Sequence, residues 1–284
     1  MATPEWTIGI YTGASPLALS GPANVRNPVI RAADVSDFEV NIVAHPFMLI
    51  TENSHYIFFT AKNSLHGERS GIGCAMSRDG LNWRYRRLVV REPFVLAHPQ
   101  VFAWQGNYYM VPEAHEKTFV RLYRAIEFPD RWVHQQDLLT GDKFISPTLF
   151  RHGEMWWMYV SCQDNAGLRL FYAKELTGPW VEHPRSPIIS GDLHSARPAG
   201  TPFVVDGALY RLGQDCYPTY GLRVFAYRVT QLSTTQYSEE KVDQQVVGAS
   251  STGWNSDCMH HADAHQARTG GWIAAVDACG VVEE

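Results

Sequence analysis

Ala44-His45-Pro46-Phe47, Ala97-His98-Pro99-Gln100, Ile145-Ser146-Pro147-Thr148, Ala196-Arg197-Pro198-Ala199 and Cys258-Met259-His260-His261 punctuate the chain. Each is followed by an apolar strand, a turn and a strand rich in Trp and Tyr. The steps between His45, His98, Ser146, Arg197 and His260 are 53, 48, 51 and 63 residues. A repeat of about 50 residues holding several short strands is the pattern of a β-propeller, in which each repeat supplies one blade. The motifs therefore predict an all-β, five-bladed β-propeller in which residues 1–284 form a single domain.

Within each repeat the strand signals are β-branched or aromatic runs. The second strands read as Tyr56-Ile57-Phe58-Phe59-Thr60, Tyr108-Tyr109-Met110-Val111, Trp156-Trp157-Met158-Tyr159-Val160 and Leu209-Tyr210-Arg211-Leu212. Turn residues precede them, as in Gln105-Gly106-Asn107 and Asp206-Gly207. Third strands follow at Gly71–Ser77 and Leu168–Ala173, and outer strands carry Trp83, Trp132, Trp180 or Tyr237. The fifth repeat, shortened to Thr269–Val276, ends after its second strand. Trp6-Thr7-Ile8-Gly9-Ile10-Tyr11 alternates suitably to complete it, so the ring is expected to close through an N-terminal strand, which removes exposed sheet edges. The polar stretch Ser233–Thr252 reads as a long loop between the fourth and fifth repeats.

Composition narrows the function classes. The chain is 45% hydrophobic and 12% aromatic, enough for a sizeable core, and carries a net charge of −5 with no basic cluster. That balance argues against a nucleic-acid or membrane partner. Met1-Ala2-Thr3-Pro4-Glu5-Trp6 shows no charged and apolar leader pattern, and no apolar run approaches the roughly 20 residues of a membrane-spanning helix. Cys74, Cys162, Cys216, Cys258 and Cys279 are odd in number and lack CxxC spacing. They read as small buried hydrophobes, and the chain as cytoplasmic.

In a propeller the innermost strands line a central channel, so residues at their starts meet at one mouth. His45, His98, Ser146, Arg197, His260 and His261 should converge there as substrate-handling groups. Glu113 and Asp215 end the second strands of the second and fourth repeats. A carboxylate at the end of an apolar strand has the surroundings that raise a general acid's pKa. The plainer alternative is a carboxylate that accepts backbone N–H groups. His45, His98 and His261 could also supply nitrogen ligands to a divalent metal, although no short-range ligand spacing such as HExxH exists. His261-Ala262-Asp263-Ala264-His265 alternates like a strand, putting its polar side chains on one face. Of Trp156 and Trp157, which point to opposite faces, Trp157 is the candidate for stacking on a sugar ring, against the commoner use of such rings in a core.

These motifs, together with Asn27-Pro28-Val29-Ile30, Glu92-Pro93-Phe94, Tyr109-Met110-Val111-Pro112-Glu113, Gln214-Asp215-Cys216 and Tyr220-Gly221, resemble one known domain over nearly the whole chain. It is the N-terminal domain of glucosamine inositolphosphorylceramide transferase-type proteins, which is similar to the five-bladed propellers of family-43 and family-32 glycoside hydrolases. The glycosyltransferase domain of the longer proteins lies outside the resemblance, which therefore implies no transfer activity. The resemblance implies a carbohydrate ligand, a small molecule or an oligosaccharide, in an axial funnel. It also exposes departures. Ala44-His45-Pro46-Phe47 stands where Ala-Asp-Pro-Phe is expected, and in the related hydrolases that aspartate is the base or nucleophile. His98 replaces an aromatic residue and Ser146 an acidic one.

Three functions follow as expectations. A glycosidase-like enzyme would cleave by inversion, with Glu113 or Asp215 as acid and the other carboxylate or His45 activating water. A tailoring enzyme (cyclase, isomerase or lyase) would work through His45 and His98, with or without a divalent metal. A sugar-binding module would hold its ligand unchanged. No cofactor is required by the first or the third.

Overall fold

The apolar runs become strands in the computed structural model, which describes residues 4–65, 69–162 and 164–282. Residues 1–3, part of the N-terminal stretch read above, lie outside these. The second strands occupy His55–Asn63, Asn107–Glu113, Met155–Ser161 and Ala208–Asp215, running a little beyond the predicted runs at both ends. Among the described residues the only helical element is a 3-10 turn at Ala32–Asp34, and no helix is long and apolar enough to cross a membrane. The protein is all-β.

The sheets follow the repeats in antiparallel order. The first repeat holds Ile42–Ile50, His55–Asn63, Arg69–Ser77 and Arg84–Arg91. The second holds Ala97–Trp104, Asn107–Glu113, Phe119–Glu127 and Arg131–Thr140, and the third Ile145–His152, Met155–Ser161, Leu168–Ala173 and Val181–Glu182. In the fourth the inner strand is split into Arg197–Pro198 and Phe203–Val205, followed by Ala208–Asp215, Arg223–Leu232 and Tyr237–Gly248. In the fifth, Cys258–Gln266 pairs with Trp272–Gly280, which pairs in turn with Glu5–Ser15 in one unbroken register from Glu5↔Gly280 to Gly13↔Trp272. A single parallel pair, Trp6↔Ile42, joins this sheet to that of the first repeat.

Local chemistry accounts for the turns. Gln105-Gly106 and Asp206-Gly207 both have positive φ at each position, the geometry of the tight two-residue hairpin whose twist matches its strands. Trp83, Trp132 and Trp180 stand before or at the start of the outer strands. Their indole N–H groups donate to the carbonyls of Gly80, Pro129 and Leu176, closing each turn. The stretch Ser233–Thr252 is a correction to the sequence reading, because most of it is the strand Tyr237–Gly248. As an outermost strand it exposes most of its polar residues, while Val246 and Val247 bury against the fourth sheet.

Both faces of each inner sheet are covered, which explains why the second strands are apolar at successive positions rather than alternating with polar residues. Trp156, Met158 and Val160 pack towards the second repeat, whereas Trp157 and Tyr159 pack towards the fourth. Ile57 and Phe59 likewise meet Ile8, Ile10 and Ile273, while Phe58 meets Met110 and Tyr123 of the second repeat. Each apolar cluster thus joins one repeat to the next. Burying a side chain of this size contributes about 1.5–3 kcal/mol. Gly200 marks the tightest junction: a Cβ there would meet the Ala262 carbonyl oxygen at 2.0 Å, and its φ of +146° also suits only glycine.

Candidate active site

The inner strands share a defect that builds the site. Between Ala44 and Phe47, Ala97 and Gln100, Ile145 and Thr148, and Cys258 and His261, three steps on the inner strand face two on its partner. This is a β-bulge, one extra residue that loses its ladder bonds and bends the strand. The extra residue in the first three is His45, His98 or Ser146, each followed by proline and each at positive φ (50°, 47° and 47°). Such a backbone costs about 1–3 kcal/mol per residue and persists only where its surroundings hold it.

What holds it is a side chain from the preceding repeat. The His45 N–H donates to Asp277 Oδ2 (2.8 Å), the His98 N–H to Thr60 Oγ1 (3.1 Å) and the Ser146 N–H to Glu113 Oε2 (2.8 Å). Side chains extend the chain of bonds. His45 Nδ1 lies 3.3 Å from Thr60 Oγ1, and His98 Nε2 lies 3.0 Å from Thr148 Oγ1, whose hydroxyl donates to the Ser146 carbonyl. Because that hydroxyl proton is already committed, His98 must be the donor, which fixes its proton on Nε2. A buried polar network therefore runs from Glu113 through Ser146, Thr148, His98 and Thr60 to His45 and Asp277.

Above this network lies a cavity of about 420 Å³, whose lining includes Trp6, His45, Glu113, Arg197, Tyr220 and His260. Trp6, His260 and His45 form a ring stack, with centroids 4.2 Å and 4.6 Å apart, and Tyr220 meets His260 edge-on at 5.4 Å. His260 Nδ1 lies 2.7 Å from Asp277 Oδ1. The carboxylate holds the imidazole proton on Nδ1, leaving the Nε2 lone pair as a base. Arg197 reaches Asn165 Oδ1 at 2.8 Å and stands 3.5 Å from Glu113 Oε2, while His115 Nδ1 stands 3.2 Å from Glu113 Oε1.

Electrostatics sorts the groups. Burial opposes ionisation of Glu113, but His115, Arg197 and His45 outweigh it and bring its pKa down to about 2. Asp277 behaves in the same way: burial is outweighed by His260, His261 and His45, and its pKa falls to about 2. Burial, reinforced by the surrounding histidines and Arg197, pushes His45 and His98 well below the usual imidazole range. His261 falls to about 4, chiefly through burial. At neutral pH the site thus holds two fixed carboxylates, the Arg197 guanidinium and the neutral imidazoles of His45, His98 and His261.

The structure brings His45, Glu113, Arg197 and His260 to one cavity and sets His98, Ser146 and His261 in the layer beneath it. Glu113 does not have the raised pKa expected of a strand-end acid, because His115 and Arg197 beside it outweigh the effect of burial. Asp215 is buried outside the cavity lining, held by His194 Nδ1 (2.9 Å), Arg223 Nε (3.0 Å) and the Tyr217 N–H (3.2 Å). Trp157 sits in the apolar cluster between the third and fourth repeats, its indole N–H donating to the His152 carbonyl. The rings of His45, His98 and His261 stand 5.3–6.1 Å apart by centroid. Among the described residues no three His, Cys, Asp or Glu side chains are grouped as a metal site. Asp263, on the alternating face predicted for it, accepts from the Met48 and Thr201 N–H groups and from His265. Sequence reasoning missed Asp277, Thr60, His115, Asn165, Tyr220 and the site role of Trp6. Asp277 had a signal: Ala275-Val276-Asp277 puts a carboxylate after an apolar run, as Val111-Pro112-Glu113 does.

This architecture is shared with glycoside hydrolases of known structure. A family 117 glycoside hydrolase from Zobellia galactanivorans matches with a TM-score of 0.60 at 16% identity, covering 98% of this chain and 91% of that one. A glycosyl hydrolase from Bacteroides ovatus matches with a TM-score of 0.65 at 12% identity, covering 94% of each. The α-L-arabinanase of Cellvibrio cellulosa, complexed with arabinohexaose, gives 0.58 at 13% identity over 84% of this chain and 96% of that one. At the level of sequence the chain belongs to the family described as glucosamine inositolphosphorylceramide transferase 1, N-terminal, whose model matches residues 2–279. Glucosamine inositolphosphorylceramide transferase 1 of Oryza sativa subsp. japonica is 35% identical over 96% of the chain, and that of Arabidopsis thaliana is 32% identical over 96%. The chain spans about 40% of the length of these curated relatives.

Proposed function

We propose that this chain is a five-bladed propeller, closed by the strand Glu5–Ser15, and a carbohydrate-active enzyme whose substrate enters the cavity between Trp6, Glu113, Arg197, Tyr220 and His260. The ring reading is supported by the apolar clusters that link each repeat to the next, the fifth to the first included. The enzymatic reading is carried by one observation: the ionised Glu113 and His260, which is bonded to the buried Asp277, line the same cavity. Trp6 and Tyr220 offer ring faces and edges of the kind that pack on a sugar.

In this reading His260, oriented by Asp277, exchanges a proton with the glycosidic or attacking oxygen, and Glu113 stabilises positive charge growing on the sugar ring. Glu113 stays ionised at neutral pH, so it serves as base or electrostatic partner rather than as acid. His45, kept neutral, leaves a second proton acceptor beside His260. The carbohydrate class draws on the glycosidase fold and on the relatives' names, which carry glucosamine and inositolphosphorylceramide. The test is incubation with a panel of aryl glycosides and defined oligosaccharides, arabinohexaose among them, followed by chromatography of the products. Conversion that falls at least 100-fold in both Glu113→Gln and His260→Ala supports the assignment, and conversion unchanged in both overturns it.

A second reading, a sugar-binding module without catalysis, is favoured by the commitment of Glu113 to the Ser146 N–H and by the position of Asp215 away from the cavity. It predicts saturable binding by calorimetry of an oligosaccharide that is recovered intact.

A further inference from the structure

Cys258 and Cys279 are directly opposite one another on the antiparallel strands Cys258–Gln266 and Trp272–Gly280. Side chains opposed in this way project from the same face of the sheet, with Cβ atoms about 4.5–5.5 Å apart. Such a separation is one small adjustment from the roughly 3.5–4.5 Å of a disulfide. Both cysteines are free thiols, and Cys279 is the more accessible of the two. The Cys258 thiol donates towards Cys279, which holds the Cys279 thiol below its ordinary pKa against the effect of burial. Cys279 is therefore the better nucleophile. None of the other three cysteines has a cysteine as its strand partner.

The pair also occupies a particular place. On its other side Cys279 is the register partner of Trp6, which lines the cavity. Asp277 lies two residues before Cys279, and His260 two residues after Cys258. The two strands that carry the thiols are thus the two that carry the buried His260–Asp277 contact.

We propose that Cys258 and Cys279 form a modification site: a cross-strand dithiol that closes to a disulfide by exchange with a small-molecule disulfide such as oxidised glutathione, clamping the strand pair behind the cavity. The Cys279 thiolate attacks one sulfur of the small disulfide, forming a mixed disulfide and expelling one small thiolate. The Cys258 thiolate then attacks Sγ of Cys279 and expels the second. Two protein thiols are oxidised by two electrons, two small thiols are formed, and the two protons pass to them. This inference is independent of the carbohydrate reading.

The experiment equilibrates the purified protein with glutathione at graded ratios of reduced to oxidised form, quenches exchange with acid, traps free thiols with iodoacetamide in denaturant and maps the peptides. A single Cys258–Cys279 link is expected, with Cys74, Cys162 and Cys216 alkylated. The linked form should melt roughly 5–10 °C higher, since the bond closes a loop in the unfolded chain. Cys279→Ser should lose the link and the oxidative shift together, with an unchanged circular dichroism spectrum as the check on folding. Alkylation of both thiols at every ratio, a link to another cysteine, or a linked form melting no higher than the reduced one would overturn the proposal.

Discussion

Oδ1 of Asp277 lies 2.7 Å from Nδ1 of His260, while Oδ2 of the same carboxylate takes the backbone N–H of His45 at 2.8 Å. One buried carboxylate thus sets the tautomer of a cavity imidazole and holds the strained bulge of the first repeat. Asp277→Asn cannot accept from both donors without turning an N–H against one of them. The variant should lose about 2–3 kcal/mol in urea unfolding and at least tenfold in turnover of any substrate found. Wild-type stability in this variant would contradict the double role.

Glu113 should contribute to the response to strong acid. Its folded pKa, about 2, is depressed from the ordinary 4.5, so its contribution is present above pH 4.5 and disappears as pH falls towards 2. The shift corresponds to about 3 kcal/mol at neutral pH. Glu113→Gln should be less stable than wild type by roughly that amount at pH 7, and the gap should close between pH 4.5 and pH 2. Equal pH slopes for the two proteins would count against it.

His261 acts at milder acidity. Its folded pKa of about 4 lies below the ordinary 6.5, so the stability it contributes is complete above pH 6.5 and is lost as pH falls towards 4. About 3 kcal/mol should go over that window from this group alone. His261→Phe, beside Phe47, removes the titration. Its unfolding midpoint should therefore vary less than that of wild type between pH 6.5 and pH 4.

Ser146 separates backbone strain from side-chain bonding. Its φ is 47°, and its hydroxyl adds a 3.2 Å bond to Glu113 Oε2. Ser146→Ala keeps the strain and drops the bond, whereas Ser146→Gly drops both. Glycine should be the more stable of the two by about 1 kcal/mol in denaturant melts. The reverse order would mean that the bulge is unstrained.

The second strands were legible because burial on both faces leaves runs such as Ile57-Phe58-Phe59 without polar interruption. The Tyr237–Gly248 strand was not, since an outermost strand keeps Glu240, Lys241 and Asp243 in solvent and reads as a loop. His45, Glu113, Arg197 and His260 could be chosen because the repeat marks equivalent positions. Their protonation states could not, because these depend on partners such as His115, which sits on a loop outside the repeated motif. Asp277 was hidden by treating the fifth repeat as truncated before its carboxylate.

The bulges also bear on how the repeats depend on one another. Thr60, Glu113 and Asp277 each satisfy a donor belonging to the following unit, so the first, second and third repeats each lean on the one before. Excising the first or the second would leave its successor with an unmet buried N–H and its predecessor with an idle acceptor. These units cannot be exchanged, added or removed singly. Change at one of these contacts calls for a matching change across the seam.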